Sequence, residues 1–251
     1  MKLNVENFKS VLQKATLNFS IESVQLKLTA DKIQSRMLMQ NSKDAIVILD
    51  VPNDVFELKK VVDFTLNFSE PSISVMPYLT LIESDEEVDV RVFDEKITIT
   101  SGNQKSNIFF CSPNVVTTFS ASAPRDNVNY FVSFDLNKSF VIDFNKIKKI
   151  GMRFGKIYFT VINKVFAMET TDKLNPYSNT LKFDLLQNVK EDDLSLCFDY
   201  RNFVNLMTVI GEDFDNFKIN FAYVRQQGLG MAFAEKKDGT EKYYLMSKKE
   251  V

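Results

Sequence analysis

The chain has 251 residues, is 45% hydrophobic and 25% charged, and sets 31 Lys+Arg against 33 Asp+Glu for a net charge of −2. That make-up suits two modest domains or one large β domain and excludes low-complexity disorder; any basic surface must come from how the charges are placed. Histidine is absent, which removes Ser-His-Asp and Cys-His catalysis and histidine-based zinc sites.

Taken in order, the chain opens with "MKLNVENFKSVLQKA", which lacks an apolar leader, and no run approaches membrane-spanning length, so a cytoplasmic setting is expected. A short strand at Lys2–Val5 leads into a helix over Glu6–Leu17. Strands Ser23–Thr29, Ile33–Gln40 and Ala45–Val51 follow from period-two alternation. The pattern then recurs: strand Val61–Phe68, helix Glu70–Glu83, strands Val88–Phe93, Lys96–Ser101 and Ser106–Ser112. A third copy runs Tyr130–Leu136, helix Ser139–Ile150, then Ile157–Ile162, Val165–Thr170 and Thr180–Val189. The fourth is Leu194–Phe198, helix Tyr200–Gly211, Phe217–Gln226, Leu229–Glu235 and Glu241–Ser247, its last two strands joined by an Asp238-Gly239 turn. A β-α-β-β-β unit is thus written four times, with starts about 60 to 70 residues apart. The Ser/Thr/Asn/Pro-rich stretch "PNVVTTFSASAPRDN" divides the units two and two, predicting domains at 1–113 and 129–251 with a linker at 114–128.

Little here reads as an enzyme. "GLGMAF" lacks the third glycine of a dinucleotide loop and sits between strand-like runs. The clusters Asp85-Glu86-Glu87 and Glu191-Asp192-Asp193 have the chemistry to hold Mg²⁺, but as loop residues between elements they read as solvated turns. Cys111 and Cys197 have no partner motif and read as reduced thiols. No cofactor and no metal are expected. The helices carry the remaining signal. The first presents Lys14, Ser10 and Asn7 outward with Lys9 on the flank, opposite Val5, Phe8, Leu12 and Ala15. The third packs Phe144, Ile147 and Ile150 inward with Lys146 and Lys149 outward and Lys148 on the other flank. The fourth presents Arg201, Asn205 and Thr208 opposite Phe203, Leu206, Met207 and Ile210. Each helix alone reads as a solvated amphipathic face; three of four equivalent helices with outward cations favour a basic surface. The second helix has no Lys or Arg, and Pro77 in its interior predicts a kink, with Lys59 and Lys60 nearby as substitute charge.

With the four units and the linker in hand, the chain resembles the sliding clamp family of DNA polymerase processivity factors. "MKLNVENFKSVLQKAT" and "SNIFFCSP" are similar to the opening and the first-domain end of two-domain phage clamps, and "KYYLMSKKE" to the closing strand of the cellular ones. The resemblance implies an α+β fold of two clamp-type domains, helices on the inner face and antiparallel sheets outside. It implies a homotrimeric, non-enzymatic ring around double-stranded DNA, with DNA polymerase and a clamp loader as partners and no membrane. If phage-encoded, such a ring works in the host bacterial cytoplasm. Lys9, Lys14, Lys146, Lys148, Lys149 and Arg201 would contact phosphates without sequence preference, and acidic residues would gather on the outer sheets. Edge strands carrying Ser106, Ile108 and Phe110 on one copy and Thr180, Lys182 and Asp184 on the next would pair antiparallel to close the ring. A partner peptide would enter an apolar pocket between the domains, formed by Met37, Met39, Val115, Val116, Phe119, Leu229, Tyr244 and Met246. The competing reading is a phage or viral structural protein built from duplicated β domains, which leaves the recurring basic helices without a role; an enzyme with a carboxylate-held metal is the third.

Overall fold

The computed structural model describes residues 1–57, 63–82, 88–119, 128, 130–175, 177–191, 193–224 and 229–248. The chain divides into two compact units, Met1–Ala121 and Ser122–Val251. The first contains β1 (Lys2–Leu3), α1 (Val5–Ala15), β2 (Ser23–Leu28), β3 (Lys32–Leu38), β4 (Ala45–Pro52), β5 (Phe56–Glu57), β6 (Phe64–Ser69), α2 (Pro71–Ser74), α3 (Met76–Thr80), β7 (Val88–Val92), β8 (Lys96–Ser101) and β9 (Gln104–Phe109). The second contains β10 (Tyr130–Asp135), α4 (Lys138–Gly151), β11 (Lys156–Ile162), β12 (Val165–Thr170), β13 (Leu181–Leu186), β14 (Leu194–Asp199), α5 (Tyr200–Ile210), β15 (Phe217–Val224), β16 (Leu229–Lys236) and β17 (Glu241–Met246). The fourfold β-α-β-β-β order is present, with β5 as an addition after the first copy and the second helix split in two.

In the first unit, five strands pair in the order β5-β1-β7-β8-β9, and β4, β3, β2 and β6 run side by side in that order. In the second, β10, β15, β16 and β17 run side by side, and a separate sheet has the order β13-β12-β11-β14. The pairings are antiparallel, as expected where hairpins and single-helix excursions supply the connections. The architecture is α+β.

Helix starts are set by short polar side chains. Asn4 caps α1 by accepting from Asn7 N at 3.0 Å, Asn137 caps α4 by accepting from Phe140 N at 3.0 Å, and Asp199 caps α5 by accepting from Arg201 N and Asn202 N. The Asn137 cap places Lys138 inside α4, one residue before the expected start. α1 ends on Thr16, fully buried, whose hydroxyl donates to Leu12 O and accepts from Phe19 N at 3.0 Å. Those bonds hold Leu17, Asn18 and Phe19 in the left-handed region, which otherwise costs about 1–2 kcal/mol per residue. Pro77 sits in the first turn of α3, so the expected kink is a break at Val75 (φ −122°, ψ −52°).

Phenylalanine supplies much of both cores. Phe8 meets Phe56 and Phe68 edge-on at 5.4 and 6.4 Å in the first unit. In the second, Phe159 touches Phe166, Phe198, Phe203 and Phe221 with centroids 4.5 to 5.9 Å apart. All five rings are at most 1% exposed, and such pairs contribute about 0.5–1.5 kcal/mol each beyond their buried area. The cluster ties α5 to strands of both sheets of that unit.

Candidate nucleic-acid interface

The basic helix faces differ sharply between the two units. On α5, Phe203, Leu206, Met207 and Ile210 are buried and Arg201 and Thr208 are exposed on the opposite side. On α4, the buried stripe is Phe140, Phe144, Ile147 and Gly151. Lys138, Asn145 and Lys149 lie exposed opposite it, together with Ile142. Lys138 was missed in sequence because the helix start was placed one residue too late; the Asn-Lys-Ser cap was the available signal. Lys148 is exposed on one flank. Lys146 is exposed on the other, bonded to Asp143 at 2.8 Å and lying 5.0 Å over the Phe183 ring of β13. It is therefore partly neutralised and drawn toward the sheet. Ile150 is 42% exposed, which corrects its expected inward packing: Gly151 takes that place in the stripe.

α1 corrects the sequence reading further. Its exposed positions are Glu6 and Gln13, while Lys9 and Lys14 are only half-exposed. Lys9 bonds Glu6 at 2.8 Å and its side chain is 17% exposed. The buried stripe extends to Val11, which turns Lys14 from the outer face to a flank; Lys9 lies on a flank as expected. α2 and α3 present Ile73, Tyr78 and Leu81 and no charge; Lys59 and Lys60 lie outside the described residues.

α4 and α5 are locked to each other. The Tyr200 phenol donates to the Lys148 carbonyl at 2.5 Å, satisfying one of the free carbonyls of the α4 end. Burial pushes the Tyr200 phenol above its ordinary range, which keeps it a donor. A Cβ on Gly151 would stand 2.6 Å from the Tyr200 ring, so only glycine permits this approach. Behind Arg201, Asp199 also accepts from Lys248 at 2.8 Å. Partial burial opposes its ionisation, but the Lys248 hydrogen bond and charge, with the amides of Asn202 and Arg201, outweigh that and hold its carboxyl below the usual range.

The sheet margins are where the expected ring contacts fall. β9 and β13 are each the last strand of their sheet. Ile108 is buried, Ser106 and Phe110 are half-buried, and Phe110 lies just past β9, its N–H donating to Glu95 O. Thr180 precedes β13 and bonds Thr171 at 3.0 Å, while Lys182 and Asp184 are exposed. The solvent face of the five-stranded sheet carries Lys2, Arg91, Lys96 and Lys105 around Asp89. That face is not acidic, contrary to the expectation for outer sheets.

The expected pocket residues divide between the units. In the first, Pro113–Val115 forms a 3-10 turn, Val115 is 45% exposed, Val116 is buried and Phe119 half-buried. Residues 117–119 pair with β3, through Leu38 N to Thr117 O at 3.2 Å and Phe119 N to Arg36 O at 3.0 Å. β2 meets β3 only at Lys27–Leu28, which leaves that β3 backbone free for the linker. Part of the expected linker is thus paired to a strand. Met37 is fully buried beneath it and Met39 half-buried. In the second unit, Leu229 and Met246 are half-buried. Tyr244 is 2% exposed and stacked on Phe233 at 4.3 Å, while Tyr243 behind it is fully buried. Both faces of β17 are therefore packed, with Tyr244 against Phe233.

Among the described residues, no group of three or more His, Cys, Asp or Glu is placed to hold a metal, and no helix is long and apolar enough to cross a membrane. Asp85, Glu86, Glu87 and Asp192 lie outside the described residues. Cys197 is buried and Cys111 half-buried, and the two are not joined in a disulfide.

No protein-family model matches the sequence, and no curated protein matches it. Solved structures do. A. fulgidus PCNA, determined with the C-terminal region of FEN-1, is similar over 100% of this chain and 97% of its own, with TM-score 0.65 and 14% identity. PCNA from Thermococcus kodakaraensis is similar over 98% and 99%, with TM-score 0.64 and 14% identity. The DnaN sliding clamp of Pseudomonas aeruginosa matches 98% of this chain, with TM-score 0.63 and 11% identity, and this chain spans 64% of that longer one. The chain has the sliding-clamp fold.

Proposed function

We propose that three copies of this chain close into a ring around duplex DNA and tether a DNA polymerase to its template, without catalysing a reaction of their own. The observation that carries the reading is the exposure of Lys138, Lys149 and Arg201 on α4 and α5, in a chain whose whole length has the clamp fold. Exposed cations on rigid helices suit phosphates, which position a protein on DNA without reading sequence. The neutral surface of α2 and α3 and the acid on α1 leave the second unit as the main source of contacts. A clamp loader would open the ring onto DNA.

The test is charge reversal at all three positions, Lys138→Glu, Lys149→Glu and Arg201→Glu. All three are exposed, so folding is expected to hold. Retention on circular duplex and processive synthesis should fall. The slope of log affinity against log salt should flatten by about 0.9 per lost contact. Wild-type retention with an unchanged slope would remove these helices from the DNA contact.

A further inference from the structure

The solvent face of the five-stranded sheet is built in rows, because residues two apart on a strand share a face and paired strands set them abreast. The register gives Asp89–Thr100–Lys105, then Arg91–Thr98–Asn107, then Phe93 beside the Lys96–Phe109 pair. Phe93 is 49% and Phe109 64% exposed, and the Lys96 ammonium lies 5.8 and 5.5 Å from their ring centroids. Lys2 pairs with Asp89 at 3.6 Å, whereas Arg91, Lys96 and Lys105 have no carboxylate partner among the described residues. Three uncompensated cations therefore share one face of a chain whose net charge is −2. Thr98 donates to Asn107 Oδ1 at 2.8 Å, which leaves the Asn107 amide nitrogen as an outward donor. Arg91, Phe93, Lys96, Lys105 and Asn107 line a groove of about 800 Å³ on this face.

We propose that this face binds single-stranded nucleic acid, with unpaired bases stacked on Phe93 and Phe109 and phosphates held by Arg91, Lys96 and Lys105. Every nucleotide carries an anion and a flat π-face, and here the complement of each stands in the same or an adjacent row. The rings are two strands apart, so each can take its own base, with Lys96 between them. Duplex fits poorly, because its base faces are already stacked and both rings would stay in water. An acidic peptide would answer the cations but offers the rings few flat surfaces. Phenylalanine has no hydrogen-bonding group, so the stacking is tolerant of sequence. This site goes beyond the ring reading and is built in the first unit, whereas the α4 and α5 cations belong to the second. Strand pairing at β9 would use the backbone edge in the plane of the sheet; these side chains stand perpendicular to that plane.

Fluorescence anisotropy with a labelled oligothymidine tests it, run beside retention on circular duplex. Phe93→Ala and Phe109→Ala should each weaken oligothymidine binding about fivefold or more, as loss of a stacked base does. Phe109→Tyr keeps a ring and should bind as the wild type does. Arg91→Glu with Lys105→Glu should weaken binding and flatten its salt slope by about 0.7 per lost phosphate contact. All four positions are exposed, so folding is expected to hold, and duplex retention by Phe93→Ala reports that it does. The triple variant Lys138→Glu, Lys149→Glu, Arg201→Glu should lose duplex retention but keep oligothymidine binding. If the wild type leaves oligothymidine unbound, or both alanine variants bind it as tightly as the wild type, the inference is wrong and the ring reading stands. A glutamate- and phenylalanine-rich peptide that binds in place of oligothymidine, and is lost in Phe93→Ala, also overturns it. Oligothymidine binding with no duplex retention by the wild type would overturn the ring reading and leave this inference standing.

Discussion

Asp199 joins three tasks: it caps α5, anchors Lys248 and stands beside Arg201. Its folded pKa is depressed, so the stability it contributes is present above the ordinary carboxylate pKa. That stability is lost as pH falls through the depressed value. Asp199→Asn keeps a capping oxygen and removes the charge. In urea titrations the wild type should be the more stable protein near pH 7, and the difference should close in strong acid. A difference that persists or grows in acid would mean that the Lys248 pair is not its source. Little of this was legible in the sequence: the cap could be guessed from Asp-Tyr-Arg, but Lys248 is brought to Asp199 by the isolated bridge between Cys197 and Lys248.

At the scale of the element, the α4–α5 contact fixes where the outward cations stand. Gly151 lets the Tyr200 ring lie against the end of α4, and the phenol holds the Lys148 carbonyl. Gly151→Ala forces that ring or the helix end to move and should cost about 1–3 kcal/mol in denaturant unfolding, despite alanine's better helix propensity. An unchanged or raised stability would show that the contact has slack. The sequence showed the helices themselves well, because their apolar residues recur at helical spacing. It showed their faces less well. On α1 the stripe widens to include Val11, and that one extra buried position carries Lys14 from the outer face to a flank, as Lys9 was expected to lie on one. On α4 a one-residue error in the start hid Lys138.

For the whole molecule, the order of elements was readable because strands alternate with period two and each unit contains its own helix. The burial of Tyr244 was not legible because β17 is packed on both faces, and alternation cannot tell a packed second face from an exposed one. The pairing of residues 117–119 was not legible because their partner, β3, lies far away in sequence. In the proposed ring, assembly turns on the strand margins at β9 and β13, each the last strand of its sheet among the described residues. The mass of the purified protein in sedimentation equilibrium tests the ring most directly. The account predicts a species of three times the 28.9 kDa chain mass. A single species of one chain mass, unchanged to high micromolar concentration, would contradict it.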